Sequence, residues 1–164
     1  MRLFVFGFGY SARAIVARMR PRLAAVWGTT RDAGKLHGIA ALGVTPLLFD
    51  SASSPVPPPF TGEELSQALA QADHVLVCIA PDEAGDPVLS HFRNDLAALK
   101  PKALVYLSTV GVYGDHDGAW VDEASDCRPV SKRSRQRLAA EAAWQLFANE
   151  TGVPVAIVRL AGIY

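Results

Sequence analysis

The chain has 164 residues, half of them hydrophobic and a fifth charged, with 16 Lys and Arg balanced by 16 Asp and Glu. That length makes one domain able to bury roughly two thirds of its unfolded surface in a single core, and the even charge excludes a nucleic acid or other polyanionic partner as well as disorder. The first apolar run is four residues long and meets a glycine at once, which excludes a signal peptide and a membrane span, so the sequence reads as cytoplasmic.

That first run, Leu3-Phe4-Val5-Phe6, predicts a strand and leads directly into Gly7-Phe8-Gly9-Tyr10-Ser11-Ala12. Strand, G-x-G-x-x-A and helix in that order form the dinucleotide-binding arrangement. The first Gly allows the tight turn, the second lets a pyrophosphate approach the backbone, and Ala12 lets helix and strand pack closely. The phosphates then sit at a helix N-terminus, where free N–H groups and the dipole favour negative charge. The same glycines could serve a bare structural turn; the strand before them and the helix after them favour the nucleotide.

Further apolar runs follow at 24–27, 44–49, 74–80, 103–107 and 153–158, with helical patterns between them. Six strands in βα alternation predict an α/β fold, a Rossmann-type doubly wound parallel sheet in three αβα layers, with residues 1–164 as one NAD(P)-binding domain. Thr61-Gly62-Glu63-Glu64 reads as a capping box for a helix through Leu65, Leu69 and Ala72. Asp86-Pro87 supplies a cap and a first-turn proline, and a last helix over 134–149 stops before Gly152. The Ser- and Pro-rich stretch 51–60 reads as a surface connection. The long segment 110–132, after a strand end, reads as the wall of a substrate pocket.

Past the second strand, an NAD site presents an acidic side chain to the ribose, but this chain has Gly28-Thr29-Thr30-Arg31. The guanidinium of Arg31 with a hydroxyl from Thr29 or Thr30 suits a 2′-phosphate, which favours NADP over NAD as cofactor. Alternatively Arg31 is the solvated start of the next helix, with Asp32 neutralising it. Asp50 either accepts from an adenine amino group or merely opens a loop. Ala80 and Ser108, at the ends of the fourth and fifth apolar runs, complete the predicted cofactor wall.

At the fifth strand the chain reads Ser108-Thr109-Val110-Gly111-Val112-Tyr113-Gly114, and after the sixth Arg159-Leu160-Ala161-Gly162-Ile163-Tyr164. With the glycine turn, Asp122-Glu123 and Pro129, these segments resemble the extended and atypical short-chain dehydrogenase/reductases, the NAD-dependent epimerase/dehydratase superfamily. The resemblance implies that Thr109 hydrogen-bonds the reacting oxygen. It also implies a Tyr general acid/base with a Lys four residues later, and a C-terminal substrate domain following Tyr164. Counted back from Glu141, those two sites hold Arg133 and Arg137. Arginine exchanges no proton at neutral pH, so tyrosine-type relay chemistry is in doubt. The two arginines, four apart, either face one cleft and bind anionic or oxygen-rich groups, or form a solvated basic face with a helical Arg137–Glu141 pair.

The Asp-Glu pair of sugar-nucleotide dehydratases is missing after Thr109, which disfavours dehydration. Tyr113 is read as a packing residue near the pocket, with a proton-donor role as the alternative. His37, His74, His91 and His116 do not form a metal cluster by spacing, and His116 is read as capping a turn. Cys78 is read as core and Cys127 as an unpartnered loop thiol. Two functions remain open: an NAD(P)-dependent epimerase or reductase with an altered proton relay, acting on an unidentified small molecule, and a non-catalytic NAD(P)-binding regulator or scaffold. Oligomeric state is not legible.

Overall fold

Alternating apolar strands and amphipathic helices give the chain two faces to cover. The computed structural model describes residues 1–50 and 62–162. Its strands are β1 (Arg2–Phe6), β2 (Ala25–Thr30), β3 (Thr45–Leu48), β4 (His74–Val77), β5 (Ala103–Thr109) and β6 (Val155–Leu160). Its helices are α1 (Tyr10–Met19), α2 (Leu36–Ala40), α3 (Gly62–Ala70), α4 (Pro87–Leu99) and α5 (Lys132–Thr151). The strands make one six-stranded sheet in the order β3-β2-β1-β4-β5-β6, every pairing parallel. The chain order reverses between β1 and β4, the position at which open α/β sheets bind ligands.

Period-two alternation in β1 sends its side chains to two different cores. Leu3 and Val5 join Phe8, Ala12, Val16, Val26 and Ile39 under α1 and α2. Phe4 and Phe6 join Leu65, Leu69, Phe92, Leu96, Tyr106, Trp144 and Phe147 under α3, α4 and α5. These two cores make the three layers. Fully burying a side chain such as Leu65 or Phe4 contributes about 1.5–3 kcal/mol, so the layers rest mainly on apolar area.

The helix signals work locally as their chemistry requires. Asp86 Oδ1 accepts from the amides of Val88 and Leu89 at 2.9 and 3.1 Å, with Pro87 opening α4. Ser131 caps α5, and Gly152 ends it at φ +72°. Boundaries shift from the sequence expectation. β2 runs on through Thr30 because its end pairs with β3, β4 stops at Val77, and β5 reaches Thr109. β6 is displaced two residues onward, α3 ends at Ala70, and α5 begins two residues earlier than predicted. The 51–60 connection and Thr61 of the capping box lie outside the described residues. No helix among the described residues is long and apolar enough to cross a membrane.

The sheet edges differ. β3 has four residues and contains Pro46, whereas β6 presents the apolar run Val-Ala-Ile-Val-Arg-Leu with Val158 40% exposed.

Candidate functional site

The turn after β1 is shaped by its glycines. Gly7 stands at φ +86°, and a Cβ there would come within 2.9 Å of Ile79 on the neighbouring β4 connection. At Gly9 an added Cβ would meet nothing within 4 Å, so space lies open above the turn. Gly9 is also the N-cap of α1 and, lacking a side chain, leaves that helix start uncovered. Ala12 is fully buried beneath it. An open, positively polarised helix start with backbone within reach fits a diphosphate.

Two connected clefts meet at this turn. A lobe of about 570 Å³ lies over β2 and β3 and is lined by Gly7, Gly9, Thr30, Arg31, Asp50 and Ala80, among others. A lobe of about 300 Å³ lies toward β5 and β6, against Gly9, Tyr10, Ser11, Ser108, Thr109 and Arg137. Gly7, Gly9 and Cys78 line both. The predicted cofactor residues and two of the three predicted catalytic ones therefore share one crevice across the switch point. Arg133 does not line it; it sits exposed on the first turn of α5. Four residues place it about 6 Å along the helix axis from Arg137, one turn nearer the start of α5.

In the larger lobe Asp32 is turned from Arg31. Its carboxylate accepts from Gly34 N–H at 2.9 Å and lies 3.5 Å from Lys35 Nζ. Arg31, exposed, lines the lobe together with Lys35 and the carboxylates of Asp32, Asp50 and Asp82. Thr30 Oγ1 accepts from Asp32 N–H at 3.2 Å, while Thr29 is fully buried and directed at the glycine turn.

The smaller lobe is floored by Arg137. Its Nη1 donates to Leu107 O at 2.8 Å, Tyr106 Oη at 2.9 Å and Ile79 O at 3.2 Å, and the guanidinium stacks over the Tyr106 ring. The expected Arg137–Glu141 pair does not form. Glu141, 2% exposed, is instead forked by Arg159 from β6, with Arg159 Nη2 at 2.7 Å and Nε at 3.2 Å from Oε2. Ser108 Oγ also donates to Glu141. Hydrogen bonding to Glu141 raises the Arg159 guanidinium above its ordinary range, and Arg159 lies over the Tyr113 ring at 4.7 Å. Tyr113 thus packs beneath an arginine, outside the crevice lining. Thr109 Oγ1 accepts from Gly111 N–H at 3.1 Å and caps the 3-10 turn Val110–Val112.

Two groups in and beneath the crevice hold their protons more tightly than usual. Burial pushes the Cys78 thiol up to about 12, against the opposing charge of Arg137. Burial likewise holds the Tyr106 phenol at about 12. The long segment after β5 folds on itself: Arg128 N–H donates to Tyr113 O at 3.0 Å, His116 Nε2 contacts Asp126 O at 3.1 Å, and only a glycine fits at 114, where a Cβ would lie 2.0 Å from Arg128 O. It walls a further cleft of about 560 Å³ with Asp122, Glu123, Gln145 and Arg159. Sequence reasoning missed the Thr29 hydrogen bond, the position of Cys78 in both lobes and the Glu141–Arg159 fork. A hydroxyl on β2 level with the glycine turn was the available signal for the first.

A family model described as NAD dependent epimerase/dehydratase family matches residues 87–164. Among solved structures, a functionally unknown conserved protein from Silicibacter pomeroyi DSS is 38% identical with a TM-score of 0.82, over 99% of this chain and 53% of that one. The UDP-glucuronic acid 4-epimerase from Bacillus cereus in complex with NAD is 19% identical, TM-score 0.75, over 100% and 57%. The UDP-glucose 4-epimerase from Thermotoga maritima with UDP-glucose is 17% identical, TM-score 0.75, over 100% and 56%. The latter two share the fold. The chain spans about half the length of each of these structures. No curated protein matches the sequence. Residues 87–164 thus resemble the NAD dependent epimerase/dehydratase family, and the chain as a whole shares the Rossmann fold of the epimerase structures.

Proposed function

We propose that residues 1–164 form the cofactor half of an NAD(P)-dependent epimerase or reductase, with NADP preferred over NAD. The observation that carries this reading is the continuous crevice across the β1/β4 switch point, with an uncapped helix start at its centre. The backbone of Tyr10, Ser11 and Ala12 would hold the diphosphate. Arg31 and Thr30 would hold a 2′-phosphate, Asp50 and Ala80 the adenine side, and Ser108, Thr109 and Arg137 the nicotinamide side. The bound dinucleotide supplies hydride transfer. Thr109 would orient an oxygen of the substrate, a small molecule, and Arg133 at the rim would attract an anionic or oxygen-rich part of it.

A second reading, binding without turnover, is favoured by Arg137. Its guanidinium is always charged and hydrogen-bonded to two carbonyls and a phenol. It can hold a ribose or an anion but cannot pass a proton. Conversion of Arg133 to Tyr together with Arg137 to Lys tests the pocket itself: NADPH oxidation with carbonyl substrates is expected to be gained if the pocket is otherwise intact, and turnover by the wild type is what separates the two readings.

Calorimetric titration with NADPH and NADH tests the cofactor assignment. Wild type is expected to favour NADPH, and Arg31→Ala to lose about tenfold or more of that affinity, the loss of one charge-assisted contact. Equal and negligible binding of both nucleotides would falsify the assignment.

A further inference from the structure

The turn after β1 is not held by its own residues alone. Val5 is the last residue of β1 paired with β2, opposite Gly28. Beyond that point a side chain takes over, because Gly7 N–H donates to Thr29 Oγ1 at 2.8 Å while Phe8 N–H donates to Thr29 O at 2.7 Å. Gly9 N–H closes onto Gly7 O at 2.9 Å. The Phe8 ring, buried, seats over Gly28, where a Cβ would lie 2.8 Å from Phe8 Cδ2. Gly28 and Thr29 therefore act together: one leaves room for the ring, the other takes two successive amides.

The consequence concerns which donors face a ligand. The amides of Gly7, Phe8 and Gly9 are all consumed within the protein. What meets the open space is the first turn of α1, and its direction is fixed by where the preceding three residues are pinned. Resting on the dinucleotide reading above, we infer that Thr29 is a positioning residue for the diphosphate: its fully buried hydroxyl holds Gly7 in its positive-φ conformation and so aims the start of α1 at the phosphates. Valine has the same shape but no acceptor, so Thr29→Val leaves the Gly7 amide unpartnered. Serine keeps the acceptor.

The test measures dissociation constants of wild type, Thr29→Val and Thr29→Ser for NADPH by calorimetry and for adenosine, which has no phosphate, by NMR titration. Thr29→Val is expected to weaken NADPH about tenfold with adenosine unchanged, and Thr29→Ser to bind NADPH within about twofold of wild type. A Thr29→Val variant that binds NADPH like wild type overturns the inference. So does one that loses NADPH and adenosine in equal proportion, which would mark general damage. Wild type that binds neither ligand overturns the cofactor reading itself, a result distinct from wild type and Thr29→Val binding alike. Hydrogen exchange in unliganded wild type gives a check that needs no variant. The Gly7 amide is expected to be protected before nucleotide is added, and a freely exchanging one counts against Thr29.

Discussion

Arg137 Nη1 donates to the Tyr106 hydroxyl at 2.9 Å, joining α5 to the middle of β5 beneath the smaller lobe of the crevice. Tyr106 is fully buried, so its hydroxyl has no water to turn to. Arg137→Met keeps much of the stem's packing while removing the donor from Tyr106 and from the carbonyls of Ile79 and Leu107. The expected loss is about 1–3 kcal/mol in urea denaturation at neutral pH, the cost of buried polar groups left unmade. NADPH affinity is expected to fall in parallel. Unchanged stability would show that the arginine does not brace the floor.

Glu141 is the hub of a second cross-link. Its carboxylate takes a hydroxyl from β5 and a guanidinium fork from β6. Removing one member of such a pair leaves the other uncompensated, and Glu141→Ala is expected to cost about 3 kcal/mol, the low end for a buried pair because Arg159 keeps some exposure. Arg159→Met, which withdraws the fork and substitutes apolar bulk, leaves Glu141 the more costly orphan. A double variant, Glu141→Leu with Arg159→Met, is expected to recover part of the loss. Denaturation midpoints of the three proteins decide the point, and additive losses would argue against coupling.

Asp86 gives a pH-dependent case. Burial raises its carboxyl above the ordinary value, opposed by the Leu89 amide, the Trp144 indole, the Val88 amide and the charge of Arg137. The folded state thus holds the proton more tightly than the unfolded one. Stability from this group is complete below about pH 4 and is lost as pH rises through the raised folded value. Asp86→Asn keeps an oxygen for the two amides and removes the buried charge. It is expected to be more stable than wild type at pH 7, with the advantage gone below about pH 4. Chemical denaturation of both proteins across that range checks the sign.

What the residues disclosed beforehand was local. The glycine turn, the Asp86-Pro87 helix start and the Gly152 stop each depend on neighbours in sequence, and each occurs where the spacing puts it. Unbroken apolar runs in βα alternation, such as Leu3 to Phe6, were enough to predict a sheet covered on both faces. Long-range polar partners were not accessible in the same way. Glu141 lies four residues from Arg137 on one helix, yet it chooses Arg159, 18 residues on, because β6 delivers that guanidinium to a buried carboxylate while Arg137 is engaged by β5 and by Ile79 just past β4. Thr29 and Thr30 looked interchangeable as phosphate ligands. The pleat of β2 separates them, burying one against the glycine turn and leaving the other at the rim.

The unequal borders of the sheet give it a direction of growth. Pro46 has no N–H to offer a newcomer beside β3. Along the far border, alternate main-chain donors of Val155 to Leu160 point away from β5, and no proline or lysine interrupts them. A strand added at that border would have only β6 between it and Thr109, and its side chains would stand near the mouth of the crevice.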